Sequence, residues 1–171
     1  MANDVSQLLT NLNSTPPVKH QSIDIESRLR RQTGVVAFTT GTSGDIKTFV
    51  RVPSRARIEE LYLATDQLDS NVAPTLAGEI GVYNTPANGG AAVSAALFAA
   101  SGTAFGHTAS KPYVDVLSNV AAGNRGQALW QLLGLSSDPG IDYDIAITLT
   151  ANAATFAAGN AALRVGYLLA E

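Results

Sequence analysis

A chain of 171 residues has the length of one domain, and its net charge of −3 leaves too few clustered cations for a nucleic-acid groove, which needs grouped Lys and Arg to replace the counterions of the phosphates. With 46% hydrophobic residues but only 6% aromatic and 15% charged, it can bury a core and leaves a charge-poor surface suited to contact with other protein. The lack of cysteine excludes disulfides and thiolate metal sites.

The N-terminal 32 residues differ in texture from the rest. They are polar, are broken by Pro16-Pro17, and hold four of the eleven basic residues in Lys19, Arg28, Arg30 and Arg31. The opening MANDVSQLLTNLNS lacks the charged and apolar regions of a secretory leader, and no apolar run reaches the roughly 18 residues of a membrane-spanning helix. A soluble, unprocessed chain with no membrane partner is expected. Val5, Leu8, Leu9 and Leu12 recur at helical spacing, which predicts a short amphipathic helix ending before Pro16. Isolated helices below about 12 to 15 residues are marginal in water, so this one needs a partner surface. Ile23 and Ile25 alternate ahead of Arg28, Arg30 and Arg31, a pattern that suits an extended strand added to a neighbour's sheet edge. Two readings therefore fit residues 1–32: an arm that docks on a partner through these nine side chains, and a solvated tail.

From Thr33 to the C-terminus the sequence reads as one β-sandwich domain, 33–171. TGVVAFTT and IKTFVRV flank the turn-forming GTSGD as in a hairpin, and Pro53 stops the second strand. ARIEELYLATD and AGEIGVYNT supply the third and fourth strands, with Ile80 and Val82 on a common face. Residues 85–112 form a long connection in which AAVSAALFAAS suggests a short helix and an insertion that contacts a neighbouring subunit. YVDV follows as a short strand, and QALWQLLGL as one or two helical turns ended by Gly134, with Trp130 expected to plug one end of the sandwich. DYDIAITLTA and AALRVGYLLA close the chain. Their stripes of Ile145, Ile147 and Leu149, and of Leu163, Val165, Tyr167 and Leu169, need a common core. Short strands separated by turns, with one or two short helices, predict an all-β antiparallel sandwich over an α/β fold.

The residues that could carry chemistry fall short of a site. Only His20 and His107 are available as imidazole bases, and the hydroxyls near His107 (Ser101, Thr103 and Ser110) lack a nucleophile elbow. No enzyme activity is expected. Asp138, Asp142 and Asp144 have oxygen ligands suited to calcium but not the spacing of a calcium loop. They read as an Asp138-Pro139-Gly140 turn followed by outward carboxylates, or as partners for basic residues of a neighbouring subunit. Gly41 and Gly44 lack the Lys-Ser/Thr ending of a phosphate cradle and read as turn glycines.

Four segments taken together, GQALWQLLGLSSDPGIDYDIAITLT (126–150), RVPSRARIEELYLATD (51–66), GEIGVYNT (78–85) and ALRVGYLLAE (162–171), resemble the small structural proteins that decorate tailed-bacteriophage heads, over roughly residues 33–169. The resemblance implies a jelly-roll-like β-sandwich and a role as a capsid cement or decoration protein, made in the host cytoplasm and carried on the virion exterior. It implies the major capsid protein and further copies of the chain, as a dimer or trimer, as partners, with the arm and loops stapling adjacent capsomers. No cofactor is expected, since no motif for one is present, and the charge balance argues against nucleic acid as a partner. A rival role on the same fold is a tail or fibre-associated carbohydrate-binding module, for which Tyr83, Phe105 and Tyr113 are the candidate aromatics.

Overall fold

A computed structural model describes residues 29–109 and 112–169. It holds eight strands: β1 (Arg30–Phe38), β2 (Ile46–Pro53), β3 (Ala56–Thr65), β4 (Ala77–Asn84), β5 (Ala92–Ala104), β6 (Val114–Asp115), β7 (Asp142–Ala151) and β8 (Gly159–Leu169). A single α-helical turn, α1 (Leu129–Leu132), and two 3-10 turns complete the described residues. The strands form two four-stranded sheets with orders β1-β8-β3-β6 and β2-β7-β4-β5, and every recorded pairing is antiparallel. Successive strands thus alternate between sheets except at β4-β5, which is the eight-stranded jelly-roll order. The all-β sandwich expected from the sequence is the fold found.

Period-two alternation builds the core. Ile145, Ile147 and Leu149 of β7 and Leu163, Val165 and Tyr167 of β8 are buried between the sheets, joined by Val52, Leu61, Leu63, Ile80, Val82 and Phe98.

Three local expectations are corrected. The run on either side of GTSGD is not a hairpin: β1 pairs with β8 and β2 with β7, in different sheets. The connecting loop bonds to β7, where Gly44 N–H donates to Leu149 O at 2.8 Å and Leu149 N–H to Asp45 O at 2.9 Å. β1 then crosses against β2 so closely that a Cβ on Gly34 would overlap the carbonyl oxygen of Phe49. The segment AAVSAALFAAS is strand, not helix. Alanine's helix propensity is overridden because β5 completes the sheet beside β4, and Gly81, where any Cβ would overlap Ser94 and Ala95, admits the close approach. Finally, the side chain sealing one end of the core is Leu129, fully buried, while Trp130 is only half-buried.

Candidate functional site

A jelly roll gathers its connections at two ends, and here the two are built differently. At one end lie the β1-β2, β3-β4, β5-β6 and β7-β8 loops. Their centre is Asp69, whose buried carboxylate accepts five backbone hydrogen bonds. Oδ1 receives Asn71 N–H at 3.2 Å and Thr155 N–H at 3.0 Å; Oδ2 receives Thr75, Leu76 and Ala154 N–H at 2.8, 3.1 and 2.9 Å. Burial pushes this carboxyl up, but the N–H groups of Thr155, Thr75, Ala154 and Asn71 outweigh it and hold the group well below the usual carboxylate range. The other two loops are tied in through backbone: Leu68 and Asp69 N–H donate to Gly106 O, and Ala153 N–H donates to Gly41 O. All four connections thus share one hydrogen-bonded clasp, which the sequence reading missed. The one available signal was the run Leu68-Asp69-Ser70-Asn71, whose polar side chains favour local backbone bonding.

The opposite end holds the start of β1, the β2-β3 and β4-β5 turns, the segment with α1, and the end of β8. Ser54 organises it. Its N–H donates to Ile141 O, its carbonyl accepts from Trp130 N–H, and its hydroxyl donates to Asp138. The Ser54 hydroxyl and Gly140 N–H lower the Asp138 carboxyl from its ordinary range, against an opposing effect of burial. Asp138-Pro139-Gly140 is thus the turn that the sequence suggested. Of the two carboxylates expected to face outward, Asp142 is exposed but Asp144 is buried and meets a basic residue of its own chain: Arg51 donates to its two oxygens at 2.7 and 3.0 Å. Among the described residues no group of three His, Asp or Glu side chains is placed to hold a metal ion.

The expected contact residues divide between these descriptions. Val5, Leu8, Leu9, Leu12, Ile23, Ile25 and Arg28 lie outside the described residues. Arg30 and Arg31 open β1, ahead of the start expected at Thr33, and are exposed. Arg31 forms a two-pronged ion pair with Glu60 of β3, at 3.1 and 3.2 Å, across the surface of β8. β1 therefore begins at the Ser54 end, with exposed Arg30 at its first position.

His107 Nε2 donates to Leu76 O at 2.6 Å, which commits that proton to the backbone. Thr103 donates its hydroxyl to Ala100 O, and Ser110 lies outside the described residues. His107 borders a cavity of about 190 Å³ under the β5-β6 connection, lined by Leu63, Ile80, Phe105, Asp115 and Val116. The three aromatics considered for sugar binding do not share a platform. Tyr83 is buried and bonded to Thr148, Phe105 packs edge-on against Phe38, and Tyr113 carries the Arg164 guanidinium 4.7 Å from its ring centre.

The fold has known counterparts. No family model matches the chain, and no curated protein matches it. Among solved structures, it is similar to a chain of the cyanophage Pam1 capsid asymmetric unit, with 24% identity, a TM-score of 0.54 and coverage of 85% of this chain and 88% of that one. It is also similar to a chain of the capsid of Ralstonia phage GP4, with 20% identity, a TM-score of 0.61 and coverage of 84% and 86%. The likeness is one of fold.

Proposed function

We propose that this chain is a virion structural protein that decorates the outside of a phage head and stabilises contacts between capsomers. The observation that carries the reading is the jelly-roll sandwich shared, over about 85% of the chain, with chains of two phage capsid structures. The charge-poor composition, the Ala-rich strands and the N-terminal arm support it.

The role requires no catalysis. The sandwich and the N-terminal segment each offer the major capsid protein a contact surface. Weak contacts at the arm and at the sandwich are linked by covalent connection, so the second forms at high effective concentration once the first is made. A shell carrying many copies then resists internal pressure and heat because many such contacts must break together.

The test has two parts. Quantitative mass spectrometry of purified particles should find this polypeptide in hundreds of copies, in fixed ratio to the shell protein; a few copies would move it to the tail, and none would end the virion reading. A chain lacking residues 1–28, which leaves β1 and the Arg31–Glu60 pair intact, should stay folded and lose capsid binding. Undiminished binding would remove the stapling role from the arm.

A further inference from the structure

Sheet edges carry free N–H and C=O groups that pair with any strand reaching them, and natural proteins blunt such edges with short strands, bulges, prolines, lysines or covering loops. This sandwich has four edges, β1 and β6 in one sheet and β2 and β5 in the other. β6 is two residues long. β2 contains Lys47, ends on Pro53 and is bulged between Thr48 and Val50. β5 shifts register three times against β4, and Asn119 covers its outer side, donating from its N–H to Phe98 O at 2.9 Å and from its side-chain amide to Ala96 O at 2.6 Å.

Among the described residues β1 has none of these protections beyond the charges of Arg30 and Arg31 at its start. Its nine residues pair with β8 in unbroken register from Arg30 to Phe38, and it contains no proline. Among the described residues no strand or loop backbone pairs with the side facing away from β8. Val35, at its middle, is 65% exposed on the outer face, beside Ala162 of β8 and in line with Ala64 of β3.

We propose that β1 pairs antiparallel with β1 of a second copy across a two-fold axis at Gly34, joining two four-stranded sheets into one of eight. The strand is self-complementary in the register that pairs all nine residues. Thr33 falls opposite Val35 of the second copy, Arg31 opposite Ala37, Gln32 opposite Val36 and Arg30 opposite Phe38, so no like charges meet. Arg31 is already neutralised by Glu60 of its own chain. The Thr33–Val35 pairs, made twice on the outer face, are β-branched cross-strand contacts of the stabilising kind. The inference goes beyond the capsid role and is tested without a capsid.

The chain has no native cysteine, so engineered thiols report alone. Full-length Thr33→Cys and Val35→Cys are purified separately, one carrying a size tag, then mixed and oxidised. The mixture should give a heterodimer whose disulfide maps to positions 33 and 35, at least about tenfold in excess over either homodimer, because only the 33–35 pair falls directly opposite. Val35→Lys should leave the fold intact and weaken self-association, read by light scattering, at least about tenfold. If the mixture gives no heterodimer while both thiols react with maleimide, or if the native protein stays monomeric at every concentration tested, the pairing is wrong. A disulfide-linked product with equal yield from each single variant would also overturn it, since that would mean contact through another register or surface.

Discussion

The two ends of the sandwich are each organised by one polar residue, a buried carboxylate at one and a serine at the other. At the Asp69 end a single buried carboxylate collects backbone N–H groups from two loops, further backbone bonds add the other two, and the side chains of Ser43, Asn71, Thr75 and Asn152 bond across the same loops. At the Ser54 end one serine joins three segments, through its N–H to Ile141, its carbonyl to Trp130 and its hydroxyl to Asp138, beside the Arg51–Asp144 pair and the buried Leu129. The first arrangement concentrates stability in one group. The second divides it between Ser54 and the Arg51–Asp144 pair, at the end where β1 begins.

Breaking the clasp should have the largest effect. Asp69→Asn replaces an acceptor oxygen by an N–H₂ that faces backbone donors, and should lower Tm by on the order of 10 °C in calorimetry. The same substitution should change the response to acid. The folded chain releases the Asp69 proton more readily than the unfolded chain, where a carboxyl titrates near about 4. The group's contribution is therefore complete above that pH and is lost as the pH falls below it. Asp138, also lowered, adds in the same direction. Asp69→Asn should flatten the loss of stability between about pH 4 and pH 2 without abolishing it.

At the Ser54 end, Leu129→Ala should cost about 2–5 kcal/mol in denaturant unfolding. Trp130→Ala, at a half-buried position, should fall below it. The reverse order would restore Trp130 as the seal. The smallest effect belongs to Arg31→Ala, which removes an exposed ion pair and should change stability by less than about 1 kcal/mol. Any large loss of capsid binding in that variant would then report on contact and not on folding.

Much of the fold was legible because strand alternation is written locally. The stripes of β7 and β8 point to one core whatever their neighbours, and Pro53 ends β2 because it lacks an N–H. The Asp138 turn was legible for the same reason, since its Asx contact reaches only to Gly140. The errors share a cause. Ala-rich β5 has helical propensity, and only its place beside β4, opened by Gly81, makes it a strand. The turn at Gly44 looks like a hairpin until β7, about a hundred residues later, takes its backbone bonds.

By itself, then, the sequence determined which residues face inward, where most strands begin and end, and that the chain is a β-sandwich, because these follow from period-two patterning and turn chemistry over a few residues. The packing of distant segments settles which strand lies beside which, that Asp69 organises one end, and that among the described residues the outer side of β1 has no backbone partner. Those outcomes depend on backbone groups, which every residue carries alike, and on contacts between segments far apart in the chain.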